Sequence, residues 1–363
     1  QEQHFRKIAA WLEPLGIRTA WLTGRLKTAE KNAALEAVAS GEARIVIGTH
    51  ALIQEGVKFA NLGLAIVDEQ HRFGVEQRAR LSNKSANAPD VLVMTATPIP
   101  RTLALTVYGD LDISVMKGRP PQRKPVRTLC YTDERRREVY AGLVRQVQAG
   151  RQAYVVCPLI EESDVLDVHS AERVYEELKR DFLQDIPCAL LHGRLKGAEK
   201  DAIMSSFAAG ELKVLVSTTV IEVGVNVPNA TLMVIENAER FGLAQLHQLR
   251  GRVGRGSEQS FCVLLTAADS PEALARLNVL HESEDGFYLA EKDMEQRGAG
   301  QLFGLKQHGL PDLRIADIMR DVDVIAQVRQ LAQAQLRTPE DWAEIRRLVE
   351  MQFGERFNMI FNT

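Results

Sequence analysis

The sequence predicts an α/β fold built from two tandem lobes, each containing a parallel sheet, followed by a small helical C-terminal region. Three observations support this: an internal repeat, apolar runs that alternate with helical stretches, and a proline-rich break. In the repeat, Leu22–Lys31 returns as Leu191–Lys200, and the spacing from Gly24 to Gly193 is 169 residues. A solenoid unit has only about 20–50 residues, so this period is the size of a domain.

Short apolar runs rich in β-branched residues predict the strands of both sheets. Near-continuous hydrophobicity over such runs is typical of strands that are buried on both faces. The runs are 19–22, 44–48, 64–67 and 91–94 in the first lobe, and 153–157, 188–191, 214–217, 232–235 and 261–265 in the second. Helices are predicted between them, among others at 2–13, 28–40 and 200–209, with Gly41 and Gly210 suited to the position after a helix. This alternation predicts parallel strands joined by right-handed crossovers.

The segment Lys117–Pro125 combines proline, glycine and charge, and it can continue neither a helix nor a strand. We therefore predict a first lobe at 1–118, a linker at 119–125, a second lobe at 126–268 and a C-terminal region at 269–363. A glycine-rich interruption between Arg297 and Gly309 separates a helical region from a helical tail at 316–353. The first lobe starts inside an amphipathic segment, so we expect it to be truncated at its N-terminus and the chain to be part of something longer.

Composition narrows the class of protein but does not identify a partner. The chain of 363 residues has 45 basic and 48 acidic residues, a formal net charge of −3. This balance neither requires nor excludes nucleic acid, because a binding groove needs only a local basic stripe. None of the 4 cysteines forms a C-x-x-C pair, which favours a reducing cytoplasm over a disulfide or zinc framework. No apolar run approaches the roughly 20 residues of a membrane span, and no signal peptide is evident.

Two adjacent carboxylates, Asp68 and Glu69, follow the predicted strand 64–67. In parallel α/β sheets, ligands bind beyond the carboxyl ends of the strands. Nucleotide hydrolysis needs one carboxylate to hold Mg²⁺ and another group to orient the attacking water. We predict the first role for Asp68 and the second for Glu69. The repeat places Glu236 and Asn237 at the corresponding positions, so only the first lobe keeps both acids.

The segment Gln245–Gly256 contains a cluster of arginines interrupted by Gly251 and Gly254. A solvated helix face is a poor explanation, because each glycine costs about 1 kcal/mol relative to alanine inside a helix. Guanidinium groups that reach the γ-phosphate from a second lobe are arginine fingers, which are worth about 10³–10⁵ in rate. We predict this role for Arg252 and Arg255, with the first lobe holding the nucleotide.

Hydroxyl residues follow equivalent strands of the two lobes, and they predict contacts to a nucleic-acid backbone. The hydroxyl residues are Thr49 in the first lobe, with His50 beside it in the same predicted site, and Ser217, Thr218 and Thr219 in the second lobe. Thr95 and Thr97 follow the strand at 91–94 and are predicted to link the acidic site to the other lobe. The phosphate-cradling pattern G-x-x-x-x-G-K-[ST] does not occur in the 363 residues.

Four segments in this order resemble motifs II, III, V and VI of superfamily-two helicases. They are D-E-Q-H from Asp68, T-A-T from Thr95, S-T-T-V-I-E-V-G-V-N-V-P from Ser217 and Q-L-R-G-R-V-G-R from Gln248. With their flanking residues they are similar to the bacterial RecG family along essentially the whole chain. The resemblance implies two RecA-like lobes, ATP and Mg²⁺ as cofactors, and ATP-dependent translocation along double-stranded DNA.

The resemblance also implies a biological role: remodelling of stalled replication forks and Holliday junctions in recombination and repair. The expected partner is branched double-stranded DNA, with single-stranded DNA-binding protein as a further partner, and the protein is expected to be a cytoplasmic monomer. A phosphate-binding loop and a wedge domain would precede residue 1 in this family.

Further site residues follow from the resemblance alone. His71, Gly224 and Gln248 join Asp68, Glu69, Arg252 and Arg255 as ATP-binding residues. The segments Asp293–Gly300 and Leu305–Gly309 look like the translocation motif of the family. The residues expected to couple the ATP state to movement along DNA are Gln70, Thr95, Thr97, Arg297 and Gln307. Asn226 stands where motif V usually has aspartate, so it keeps hydrogen-bonding capacity without the charge.

Three alternatives remain open beside a RecG-type motor. They are a nucleic-acid-binding regulatory module without a phosphate loop, the motor of the related transcription-repair coupling factor, and an RNA helicase of similar architecture. The joint presence of Asp68, Glu69, Arg252 and Arg255 argues against the first, because a module that does not hydrolyse ATP has no evident use for all four. We expect the chain alone to show little or no DNA-stimulated ATPase activity.

Overall fold

The computed structural model describes residues 2–24, 26–54, 56–68, 89–95, 112–116, 123–158, 164–218, 227–267, 271–297, 321–335 and 339–353. The chain forms two compact units, residues 1–96 with 331–363, and residues 97–330. The division after Ala96 lies upstream of the predicted linker at 119–125.

The first unit contains two separate pairs of parallel strands. Its elements are α1 (Glu2–Leu12), β1 (Thr19–Leu22), α2 (Thr28–Ala39), β2 (Ile45–Gly48), β3 (Leu64–Val67) and β4 (Asp90–Val93), with short 3-10 turns at Glu13–Leu15 and His50–Ile53. Strand β1 pairs with β2 and β3 pairs with β4, both in parallel. All four strands were predicted within one residue of their ends.

The second unit is built around one parallel sheet of 6 strands in the order β5-β10-β9-β6-β8-β7. The elements in chain order are β5 (Arg127–Thr132), α3 (Arg136–Gln148), β6 (Gln152–Val156), α4 (Asp164–Asp181), β7 (Cys188–Leu191), α5 (Gly197–Ala208), β8 (Val214–Ser217), β9 (Ala230–Ile235), α6 (Leu243–Arg250), β10 (Phe261–Thr266), α7 (Pro271–Glu282) and α8 (Gly286–Arg297). Separate cores lie on the two faces, one around Tyr154 and Phe207 and the other around Tyr140 and Leu178. The four inner strands β6, β8, β9 and β10 are therefore buried on both faces, as predicted, whereas the edge strands β5 and β7 are only partly buried.

The sequence repeat is also a structural repeat. Helices α2 and α5 both start where a glutamate of the first turn, Glu30 or Glu199, accepts the backbone N–H three residues upstream, at 3.3 and 2.9 Å. Each helix is followed by a glycine in the left-handed region, Gly41 with φ of 80° and Gly210 with φ of 78°. Strands β1–β2 and β7–β8 pair in the same parallel register.

The two copies differ in the middle of the sheet. In the second unit β6 lies between β8 and β9, whereas their counterparts β2 and β3 are not paired to any common strand among the described residues. Strands β3 and β4 bury only one face, and Leu64, Ile66 and Leu92 are 55%, 59% and 49% exposed. The prediction that these two strands are buried on both faces is therefore wrong, because the described part of the unit covers only the face of Ala65 and Val67.

Strand β5 was not predicted, because polar residues at both ends of Arg127–Thr132 shorten its apolar run and it lies at the sheet edge. The predicted C-terminal region begins with α7 and α8, whose Leu277, Leu280 and Leu289 belong to the core of the second sheet. The predicted tail is two helices, α9 (Val322–Gln335) and α10 (Pro339–Phe353). Within the described ranges, no helix combines the length and apolar character needed to cross a membrane.

Candidate functional site

Asp68 directly follows Val67 at the carboxyl end of β3 and is exposed. The neighbouring strand places Thr95 at the same edge, since the N–H of Met94 donates to the carbonyl of Val67 at 2.8 Å. A carboxylate at this edge is a ligand that Mg²⁺ accepts. Among the described residues, no group of three or more potential metal ligands occurs. Four predicted site residues lie outside the described ranges here: Glu69, Gln70, His71 and Thr97.

The predicted arginine fingers lie in a loop and not on a helix. Helix α6 ends at Arg250, Gly251 caps it, and Arg252 and Arg255 follow as half-buried residues. The Nε of Arg255 donates to the carbonyl of Gly251 at 3.3 Å. Burial lowers the pKa of Arg255, and the like charges of Arg252 and Arg123 lower it further. The loop is thus a site of concentrated positive charge.

Two features of the chain's own structure require glycine at position 254. Its φ of 75° lies in the left-handed region. A Cβ at this position would lie 2.6 Å from Cγ2 of Val126. The group that approaches Gly254 closely is thus the side chain of Val126.

Helix α6 is held at both ends by side-chain contacts to the helices that follow the sheet. At its start, Oδ1 of the buried Asp293 accepts the N–H of Leu243 at 3.2 Å. At its end, Nη1 of Arg250 donates to the carbonyls of Leu280 at 2.7 Å and Ser283 at 3.0 Å. Arg250 is only 4% exposed, so it is a structural residue that fixes where the arginine loop begins. The sequence pattern placed Arg250 in one cluster with Arg252 and Arg255. Its helical spacing from the buried Leu243 and Leu246 was nevertheless a signal for an inward position.

His247 on the same helix is held in its neutral form. Burial lowers its pKa to about 4, and the charge of Arg250 contributes in the same direction. Its Nδ1 lies 3.1 Å from Nη2 of Arg250. Because arginine can only donate, Nδ1 accepts this hydrogen bond. The next residue, Gln248, predicted to bind ATP, is half-buried.

Two of the three predicted backbone-binding hydroxyls of the second unit are buried. Ser217 and Thr218 are 0% and 1% exposed, and within the described part of the chain neither Oγ of Ser217 nor Oγ1 of Thr218 has a hydrogen bond. Nδ1 of His192, which follows the neighbouring strand β7, likewise has no partner among the described residues. A buried polar group without a partner is costly, so this edge is suited to a polar ligand such as a phosphate.

The other members of the predicted DNA-binding and coupling sets are only partly described. At the equivalent edge of the first unit, Thr49 is half-buried and His50 is exposed. Arg297 is the last residue of α8. The structure does not describe Thr219, Gly224, Asn226 or Gln307.

The second-unit counterpart of the acid pair is part of a buried structural network. Glu236 follows β9 and is 2% exposed. Its Oε1 accepts the hydroxyl of Tyr140 at 2.6 Å, and its Oε2 lies 3.1 Å from Nη2 of Arg136. Burial raises the pKa of Glu236, against the lowering effects of Arg136 and the Tyr140 hydrogen bond. The carboxylate of Glu236 therefore makes structural contacts within the second unit. The acidic site remains a prediction for the first lobe alone.

Arg136→Ala is expected to destabilise the second unit by about 3–5 kcal/mol near neutral pH, because it leaves a buried carboxylate without its cation. An acid whose folded-state pKa is raised loses stability as pH rises through that pKa, and the variant raises it further. The deficit is therefore expected to shrink as pH falls towards the ordinary glutamate value of 4.5.

Urea unfolding followed by circular dichroism measures this difference, with Arg137→Ala, at an exposed position on the same helix, as the matched control. All 3 tryptophans lie in the first unit, so their fluorescence provides an internal reference. A variant as stable as the control at neutral pH would contradict the importance of the Arg136–Glu236 pair.

Three family models match the chain in consecutive segments. The DEAD/DEAH box helicase model matches residues 1–106, and the helicase conserved C-terminal domain matches residues 135–257. The third, described as ATP-dependent DNA helicase RecG, domain 3, C-terminal, matches residues 283–352. The order agrees with two helicase lobes followed by a helical C-terminal region.

Individual relatives give the same result. The chain is 52% identical over 336 residues to the ATP-dependent DNA helicase RecG of Escherichia coli K12, covering 91% of this chain and 48% of that protein. It is 51% identical to the RecG helicase of Streptococcus pneumoniae, covering 94% and 50%. A solved structure of RecG bound to a three-way DNA junction is 45% identical, with a TM-score of 0.70, covering 89% of this chain and 41% of that one. The chain thus spans about half the length of the relatives it matches.

Proposed function

The chain belongs to the RecG family of ATP-dependent DNA helicases, and from this premise we propose that it is the motor portion of an ATP-dependent double-stranded DNA translocase. Its substrates would be branched DNA molecules, namely stalled replication forks and Holliday junctions, in recombination and repair. The solved relative bound to a three-way junction supports this class of substrate.

The observation that carries the proposal is the arginine loop. Arg252 and Arg255 are half-buried and, among the described residues, form no ion pair with any carboxylate. Burying uncompensated guanidinium groups is unfavourable unless an anion joins them. A nucleoside triphosphate supplies such an anion, and the charge that develops on its terminal phosphate would be stabilised there.

Each remaining part of the site has a proposed task. Asp68 would hold Mg²⁺, which neutralises phosphate charge when bound, and Glu69 would orient the attacking water. Ser217 and Thr218, with Thr49 and His50, would contact DNA phosphates, which position the protein without reading sequence. Arg297 and Gln307 would couple these contacts to ATP state. Single-stranded DNA-binding protein as a partner, a monomeric state and a cytoplasmic location remain predictions.

The phosphate-binding loop is proposed to lie in a segment encoded upstream of Gln1. The pattern G-x-x-x-x-G-K-[ST] is missing from all 363 residues, and the relatives are about twice as long. The second unit also has a central strand, β6, that has no described counterpart in the first.

We expect the purified chain to show little or no DNA-stimulated ATPase activity, and a protein extended upstream to include the phosphate-binding loop to show activity stimulated by branched double-stranded DNA. Because phosphate contacts release counterions, log affinity should fall with log salt by about 0.9 per contact. Steady-state ATP hydrolysis with a DNA junction, linear duplex or RNA hairpin measures stimulation, and binding across a salt series gives the slope. Greater stimulation by RNA would favour the RNA helicase alternative, and an extended protein that never hydrolyses ATP would favour the regulatory module.

A further inference from the structure

The segment that leads into strand β5 is bound to the loop that carries the arginine fingers. Nε2 of Gln259 donates to the carbonyl of Pro125 at 2.7 Å, and the N–H of Arg127 donates to the carbonyl of Ser260 at 2.9 Å. The side chain of Val126 lies against Gly254, in the close approach that only glycine permits. Residues 125–127 are therefore fixed relative to Arg255, although they follow the proline-rich segment predicted as a linker.

This attachment brings a third arginine into the neighbourhood of the loop. Arg123 lies two residues before Pro125 and is exposed. The pKa of Arg255 is lowered first by burial and then by the positive charges of Arg252 and Arg123. The three guanidinium groups thus belong to one region of the same unit.

Nothing in the described chain compensates this charge. None of the three arginines forms an ion pair with a carboxylate in the described ranges, whereas Arg151 is paired with Glu258 at 2.8 Å. Like charges held together by backbone contacts favour binding of an anion, and several guanidinium groups suit an anion with several oxygen atoms.

We propose that Arg123 completes, with Arg252 and Arg255, a three-arginine site for the phosphates of a nucleoside triphosphate. The proposal deepens the function proposed above and rests on it. It gives the segment that was predicted as a linker a role in binding phosphate.

The test is binding of inorganic tripolyphosphate to the purified chain at low ionic strength, measured by calorimetry. Arg123→Ala and Arg255→Ala are each expected to weaken binding by roughly fivefold to tenfold, the loss of one charge-assisted contact. The matched control is Lys124→Ala, which removes an adjacent exposed positive charge and should change affinity by less than about twofold if geometry and not net charge decides. Because Arg123 is exposed, unchanged thermal unfolding of its variant is the check on folding.

The proposal requires both arginine variants to lose affinity for tripolyphosphate. If only Arg255→Ala does, or if Arg123→Ala and Lys124→Ala behave alike, the role of Arg123 is refuted and the proposed function stands. If wild-type chain does not bind tripolyphosphate at millimolar concentration, the three-arginine site is refuted. If Arg123→Ala instead weakens binding of a DNA junction and reduces its salt slope by about 1, the residue contacts DNA phosphate and the nucleotide assignment is wrong.

Discussion

Arg255→Ala is expected to lower the rate of DNA-stimulated ATP hydrolysis by about 10³-fold or more, measured in the extended protein that is proposed to include the phosphate-binding loop. The side chain is half-buried in a loop whose shape is set by Gly254 and by helix α6, which is held at both ends by side-chain hydrogen bonds. A positioned guanidinium contributes mainly to the transition state, so kcat should fall much more than KM rises.

Single-turnover and steady-state ATP hydrolysis with a DNA junction would measure this effect. Arg180→Ala is a suitable control, because Arg180 is exposed at the end of α4 and pairs only with its neighbour Asp181 among the described residues. Arg250→Ala provides a second comparison, since its buried hydrogen bonds predict lost stability along with lost activity. An Arg255 variant with turnover within about tenfold of wild type would contradict the arginine-finger assignment.

Glu69→Gln is expected to abolish ATP hydrolysis in the same extended protein while leaving ATP binding intact. The amide has nearly the same shape as the carboxylate, but it cannot accept a proton from or orient the attacking water in the same way. Asp68, one residue earlier, sits at the carboxyl end of β3, where a nucleotide-bound metal would be expected.

Fluorescent nucleotide binding and ATP hydrolysis measured on the same preparation separate the two properties. Asp68→Asn is the informative companion variant, because loss of a magnesium ligand should weaken magnesium-dependent nucleotide binding as well as turnover. Unchanged turnover in Glu69→Gln would overturn its catalytic role, whereas loss of nucleotide binding would assign Glu69 to binding instead.

Much of the fold follows from features that are encoded within a few neighbouring residues. Short β-branched runs gave strands with accurate ends, and the glutamate of each repeated A-E-K segment and the glycine after each helix fixed α2 and α5. The strand before Asp68 and the glycines near Arg252 and Arg255 likewise allowed the edge position of the acid and the loop position of the arginines to be predicted. Strand β5 was not predicted because its apolar pattern is weak, and only its pairing with β10 defines it as a strand.

Tertiary structure alone decided which of the similar charged residues are available for chemistry. Arg250 and Arg252 are two residues apart in sequence, yet Arg250 is buried among carbonyls of Leu280 and Ser283, which are 30 and 33 residues away. Glu236 matches Asp68 in the repeat, but it is engaged by Tyr140 from 96 residues away. Periodicity and turn chemistry are local, so the sequence by itself determined the family, the paired lobes and the candidate residues. Burial and the choice of partners depend on side chains that only folding brings together, so only the structure shows that Arg250 and Glu236 are held in buried structural contacts.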